Sequence, residues 1–340
     1  MPTLPPSARE PQGFMVRADE STRVHFLDWG AAEAAGAERA GVGAPEPARA
    51  TQPGVLLLHG LAGTAWAWAP VARCLAATHH VIAPDLRGHG LSDAPPDGYD
   101  PETLAADALA VAEGAGLLAA PYGEAAPGEL AGPGLVLVGH GFGAIVAASA
   151  AARLGEWCGG LVLVDGGWED AESATGLEPV ELLRGLEEPP AVLRSLTTYL
   201  ADRRDFDPAS WDADQERAAR AAIVELPAGR VVSSARAHAL AGCVDAMYAY
   251  RPHSTLAAVT APIVVLVAMD DEAGTHRRLL ARAQDALVAA GRPAMTVIDL
   301  PSVAHNLARY APDVVVEAIA TVARPSATFA RPPAAYHPGS

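Results

Sequence analysis

One stretch, from Leu135 to Leu154, limits the possible folds more than any other: Leu-Val-Leu-Val-Gly-His-Gly-Phe-Gly-Ala-Ile-Val-Ala-Ala-Ser-Ala-Ala-Ala-Arg-Leu. Four apolar residues run into glycines at alternate positions, Gly139, Gly141 and Gly143, and a small-residue helical pattern follows at once. An apolar run of that length, closed by glycines, predicts a strand buried on both faces. The glycines predict a sharp turn, and the alanines after it a helix that packs close behind the strand.

The rest of the chain repeats this rhythm. Gly13–Ala18 and Thr22–Trp29 predict a β-hairpin, and Gly54–His59, His80–Pro84 and Leu161–Asp165 predict short buried strands. Helical patterns lie between them, one holding Trp66, Trp68, Val71 and Leu75, another opening at Pro101 and running to Leu118. Strands alternating with helices predict a mostly parallel sheet covered on both faces. The rhythm stops at 166. From there to about 258 the pattern is helical, acidic and Arg-rich, with no convincing strand. It resumes with a strand at Pro262–Ala268, a helix over about 274–290, a strand at Ala294–Leu300 and a helix over about 311–323. Ala31–Pro53 and 119–134 are Gly/Pro-rich and read as surface insertions.

Composition narrows the function classes. Net charge is −16, and an acidic surface repels phosphate backbones, so no nucleic-acid partner is expected. All 24 basic residues are arginine, which excludes a Schiff-base or Walker lysine. No apolar run reaches the roughly 18 residues that a span needs, so no membrane partner is expected. The N-terminus shows no secretory signal. Cys74, Cys158 and Cys243 are odd in number and far apart, which fits a reducing cytoplasm rather than a disulfide framework. His79-His80 matches no metal-ligand spacing, and neither a metal nor a cofactor is expected.

Assembled in order, these segments resemble the α/β-hydrolase family of the kind with a helical cap between strands 6 and 7. The resemblance covers about 14–324. Leu57-Leu58-His59-Gly60 is similar to the loop that supplies one oxyanion amide, and Pro84-Asp85-Leu86-Arg87-Gly88-His89-Gly90-Leu91-Ser92-Asp93 follows the family's P-D-x-R-G-H-G-x-S-D segment. Gly139-His140-Gly141-Phe142-Gly143 resembles the G-x-S-x-G nucleophile elbow, with glycine where the serine stands. The implied organisation is a core in two parts, 14–165 and 259–324, a helical cap over 166–258, and flexible tails at 1–12 and 325–340.

The resemblance also implies a site. Ala304-His305-Asn306 is similar to the catalytic-histidine loop, and Pro262 to Asp271 to the strand and turn carrying the acid. Counting from the proline selects Asp271 over Asp270, with Asp165 at the end of strand six as the alternative. The backbone N–H groups of Leu61 and Phe142 are the expected oxyanion hole. His59, His89 and Ser92 lie inside loop motifs, where bonds to backbone are the simpler role. The aromatics Trp66, Trp68, Tyr199, Trp211, Tyr248 and Tyr250 either line a pocket or pack helices. With Gly141 at the nucleophile position the covalent route is closed, and three readings stay open. An Asp271–His305 dyad acts on water or on a substrate proton; or the chain binds a small organic molecule without catalysis; or it is a serine esterase disarmed by glycine. The first is preferred, because a pure binding role gives no reason for acid and histidine both to be in place. The sequence is silent on substrate identity and oligomeric state.

Overall fold

The computed structural model describes residues 10–30, 52–118, 134–186, 195–268, 274–301 and 303–323. Most of the two expected surface insertions and of both tails lies outside these residues, as do Asp270 and Asp271.

An eight-stranded sheet organises the chain. Its strands are β1 (Gln12–Arg17), β2 (Arg23–Asp28), β3 (Val55–Leu58), β4 (Val81–Pro84), β5 (Leu135–His140) and β6 (Cys158–Val164), joined later by β9 (Ile263–Val267) and β10 (Thr296–Asp299). Their spatial order is β1-β2-β4-β3-β5-β6-β9-β10. β2 pairs antiparallel with both β1 and β4, and every other pairing is parallel.

Side chains alternate across each strand, so one apolar run feeds two cores. Leu56, Leu58, Leu135, Leu137, Leu161, Leu163 and Val265 face one side, packed on helices Pro101–Gly114 and Phe142–Leu154. Val55, Leu57, Val136, Val138, Val162, Val164 and Leu266 face the other, packed on helices Ala69–Leu75 and Pro312–Val322. Burial of each such side chain is worth about 1.5–3 kcal/mol, which explains why these strands carry no polar alternation. The Pro101 helix starts where its sequence says it should: Asp100 caps it, accepting from the Thr103 N–H at 2.9 Å, with proline at the first position.

Between β6 and β9 the chain leaves the sheet for residues 165–262. Helices Ala171–Thr175, Pro179–Leu186, Leu196–Phe206, Ala213–Ala221, Ala237–Ala249 and Pro252–Ala258 occupy this stretch. The expectation that it holds no strand is corrected. β7 (Ile223–Glu225) and β8 (Val231–Ser233) form a small antiparallel hairpin, with Ile223 opposite Ser233. Two β-branched pairs, Ile223-Val224 and Val231-Val232, flank a turn closed by Gly229 at φ 73°. Three-residue strands are too short to show a period, and the turn chemistry was the available sign.

Candidate active site

The alternate glycines at the end of β5 have separate causes. A Cβ on Gly139 would strike the Gly143 carbonyl, and one on Gly143 would strike the Leu58 carbonyl, so the turn closes only if both are bare. Gly141 differs: it sits at φ 54°, ψ −116°, a conformation that disfavours side chains. Its Cβ direction points at an imidazole: a Cβ there would lie 3.2 Å from His305 Nε2 and 3.5 Å from Cε1. The loop after β6 passes beside this turn, where Gly166 is held close to the Gly141 carbonyl. Phe142 is the first residue of the following helix, so its N–H is one of the donors that a helix leaves unpaired.

His305 lies between β10 and helix Leu307–Tyr310. Its Nδ1 is 2.5 Å from Asp165 Oδ2, and Asp165 Oδ1 accepts from the Ala268 N–H at 2.9 Å. The carboxylate is fully buried while the imidazole is 55% exposed, so the acid is dry and the ring stays open to solvent. The carboxylate acceptor fixes the proton on Nδ1 and leaves the Nε2 lone pair facing Gly141. Asp165 is thus the described carboxylate that engages His305; Asp271 and Asp270, on the loop after β9, lie outside the described residues. Asp165 holds φ 50°, rare for a non-glycine residue, at the point where β6 must turn its last side chain toward the histidine.

A second carboxylate–imidazole pair sits on the same loop. Glu169 Oε2 is 2.7 Å from His276 Nδ1, tying the loop to helix Thr275–Ala289. Burial pushes the Glu169 carboxyl up, against the pull of the imidazole.

Two buried histidines lock the loop that carries Leu61. His59 donates from Nδ1 to the Gly60 carbonyl at 2.8 Å and accepts the Leu86 N–H at Nε2, 2.9 Å. His89 donates from Nδ1 to the Arg87 carbonyl at 3.1 Å and accepts the Ala62 N–H at Nε2, 3.2 Å. Burial holds both rings neutral: it lowers the His59 value against the opposing charge of Asp85, and drives His89 down to about 3. The turn Gly60–Gly63 is closed by a Gly63 N–H to Gly60 carbonyl bond of 2.9 Å, with Leu61 between the pinned residues.

The segment from Pro84 to Asp93 is a clip. Asp85 accepts from the Ala65 and Leu91 N–H groups and from His25, at 2.7, 3.0 and 2.9 Å. Ser92 Oγ donates to the Asp85 carbonyl and accepts the His25 N–H, while Arg87 is paired with the buried Asp107 through two bonds of 2.5 and 2.6 Å. These residues fasten the β1–β2 hairpin and the Pro101 helix to β4.

Most of the aromatics are engaged in packing or hydrogen bonds. Trp68, Tyr199 and Tyr250 are buried, and the Tyr250 hydroxyl donates to the Gly167 carbonyl at 2.8 Å. Trp66 stands edge-on to Trp29 and carries the Arg217 guanidinium 4.6 Å from its ring centroid. Tyr248 donates to the Leu177 carbonyl. Trp211 is half-buried.

Sequence reading gave His140 no role beyond its place in the Gly139–Gly143 motif. Its Nε2–H donates to the His305 carbonyl at 2.9 Å, and the two rings lie 4.5 Å apart at 44°. Burial, then the neighbouring His305, lowers its titration to about 4. The available sign was a polar residue inside the glycine turn.

Comparison with known proteins gives this geometry a context. A profile of the alpha/beta hydrolase family matches residues 55–318. A 2-(acetamidomethylene)succinate hydrolase of Mesorhizobium japonicum is 28% identical over 273 residues, which is 78% of this chain and 86% of that protein. The crystal structure of an E-2-(acetamidomethylene)succinate hydrolase superposes with a TM-score of 0.66 at 20% identity, over 92% of this chain and 99% of the other. A thioesterase domain from the curacin biosynthetic pathway superposes with a TM-score of 0.65 at 20% identity, over the same 92% and 99%. Both likenesses show the fold. No helix among the described residues is long and apolar enough to cross a membrane.

Proposed function

Because the chain belongs to the α/β-hydrolase family, a family in which relatives of this chain are named hydrolases, we propose that it hydrolyses an activated carboxylic acid derivative without a covalent intermediate. In this reading Gly141 stands where the family's serine would be, and water takes the nucleophile's part. The observation that carries it is the direction of the missing side chain: the Cβ position of Gly141 lies 3.2 Å from His305 Nε2, whose other nitrogen is held by Asp165.

His305 Nε2 takes a proton from a water molecule, and the resulting hydroxide forms the C–O bond to the substrate carbonyl. The developing oxyanion is stabilised by the Leu61 and Phe142 N–H groups. The tetrahedral intermediate collapses by breaking the bond to the leaving group, which receives the proton from the imidazolium. One water is consumed, and an acid and an alcohol or thiol are released. Asp165 stabilises the imidazolium and remains ionised throughout. General-base assistance of about 10²–10⁴-fold suits reactive esters, thioesters and lactones better than ordinary amides. The hydrolase name of the relative favours hydrolysis over lyase or cyclase chemistry on the same dyad. Residues 166–258 then act as a cap on a core made of 14–165 and 259–324. The substrate is a small organic molecule, met in the cytoplasm, with no nucleic-acid or membrane partner.

The test pairs two variants. His305→Ala is expected to lower hydrolysis of p-nitrophenyl acetate at least about 10²-fold. A fluorophosphonate probe is expected to leave the native protein unlabelled and to label Gly141→Ser. An unchanged rate in the first variant, or labelling of the native elbow, removes the reading.

A further inference from the structure

The reading of His305 as base leaves a second imidazole at the site without a role. His140 touches both halves of the machinery. On one side its Nε2–H holds the His305 carbonyl at 2.9 Å and its ring lies against the His305 ring, centroids 4.5 Å apart. On the other it fills the space that glycine leaves at position 60: a Cβ there would come 2.9 Å from His140 Nδ1. Gly60 is the residue before Leu61, whose amide belongs to the proposed oxyanion hole, and its own carbonyl is held by His59. One ring therefore separates the oxyanion loop from the base.

We propose that His140 is a positioning residue, a strut that fixes the base relative to the oxyanion loop and keeps His305 Nε2 aimed at the Gly141 gap. The proposal rests on the reading of His305 as the general base. A carbonyl can only accept, so the proton of neutral His140 is on Nε2, and the ring has a single orientation in which it can hold the His305 backbone. Neutrality suits the role. When His305 takes its proton, a charged neighbour at stacking distance would oppose the imidazolium. Burial keeps His140 uncharged well below neutral pH.

Three variants separate the parts of the strut. His140→Phe keeps a ring without the donor, His140→Gln keeps a donor without the ring, and His140→Ala has neither. The primary readout is the His305 Nδ1–H proton bonded to Asp165, followed by one-dimensional proton NMR of the full chain and assigned by its loss in Asp165→Asn. Thermal melting checks that each variant is folded. This signal is expected to stay sharp in the native protein and His140→Gln, and to broaden through solvent exchange in the Phe and Ala variants. In p-nitrophenyl acetate hydrolysis, His140→Phe is expected to lose at least about tenfold in kcat with KM within about twofold. A sharp signal in folded His140→Phe overturns the proposal, and so does loss of the signal from folded His140→Gln. The NMR arm needs no turnover, so a native protein inactive on esters sinks the catalytic reading while the strut is still judged.

Discussion

The sheet and the insertion that interrupts it are held together by different means. In the sheet, Leu57, Val136, Val162 and Leu266 are completely or almost completely buried, and the turn at Gly139–Gly143 closes on backbone at less than side-chain distance. In the insertion, helices Pro179–Leu186 and Ala213–Ala221 have no buried residue, and Leu196–Phe206 buries only Tyr199. Helix Ala237–Ala249 buries Ala239, Cys243 and Ala246 in the apolar cluster of the sheet, whereas the outer helices make polar contacts with the core. Arg73 on the core pairs with Asp214, and Arg309 donates to Ser210 Oγ at 2.7 Å. Arg217 covers Trp66 and pairs with Glu10, which also engages Arg73 at 3.0 Å. The contrast says where a single atom matters. At the elbow one added carbon has nowhere to go, whereas at Gly185 in the outer helix Pro179–Leu186 it meets no atom within 4 Å.

The largest expected effect follows from that. In Gly143→Ala the new Cβ would overlap the Leu58 and His59 carbonyls, which are backbone atoms of β3 and of the loop that follows it and cannot rotate away. Relief requires the helix to back off from the sheet, opening space in a core where nine residues of that helix are buried. Overpacking of this kind costs about 1–3 kcal/mol where side chains can yield, and more where only backbone can. A urea titration is expected to show a loss of at least about 3 kcal/mol, or no cooperative unfolding at all. A loss below about 1 kcal/mol would mean that the elbow is not the tight point of the sheet.

Acid sharpens the contrast next. Burial in the core drives His89 down to about 3, and desolvation at the end of β5 together with the neighbouring His305 lowers His140 to about 4. Both folded-state values lie below the unfolded one near 6.5, so between about 6.5 and 4 the unfolded chain takes up protons that the folded chain refuses. Stability is therefore complete above that window and falls as pH drops through it, by at most about 1.4 kcal/mol per pH unit for each histidine. The insertion behaves otherwise. Asp170 titrates below the usual carboxylate range, held there by hydrogen bonds from Ser173 against a desolvation that raises it, so its contribution is lost only at lower pH. The urea midpoint is expected to fall between pH 7 and pH 5, and to fall less steeply in His140→Gln. Equal slopes in the two proteins would place the acid sensitivity elsewhere.

How much of this was legible in the sequence depends on whether the cause is local. Strands buried on both faces announce themselves as apolar runs, and the clip from Pro84 to Asp93 is contiguous, so fold and scaffold could be read directly. His305 could be placed because its neighbours Ala304 and Asn306 are part of the pattern. Its acid could not be settled, because carboxylates follow the apolar runs of both β6 and β9. What engages His305 is the loop of Asp165, turned by an unusual backbone at φ 50° and followed by glycines that pass beside Gly141. The contact of His140 with His305 spans 165 residues of chain and depends on a ring lying against a ring, which no local pattern encodes. The β7–β8 hairpin was lost for the opposite reason, since its strands are too short to carry a period.

The smallest expected effect is the mirror of the first. Gly185 lies in helix Pro179–Leu186 of the insertion, at a negative φ, and an added Cβ there meets no atom within 4 Å. Glycine inside a helix costs about 0.5–1 kcal/mol relative to alanine, because the unfolded chain loses more backbone freedom when it orders. Gly185→Ala removes that cost and adds no contact, so it is expected to raise stability by up to about 1 kcal/mol. The position is near the helix C-terminus, where fraying reduces the gain, so the lower half of that range is the better expectation. Differential scanning calorimetry reads the sign directly. A rise in melting temperature leaves the contrast with Gly143→Ala intact, the same substitution acting in opposite directions in the two regions. A fall of similar size to that at Gly143 would show that the insertion is packed as closely as the sheet, and the contrast between the two would be gone.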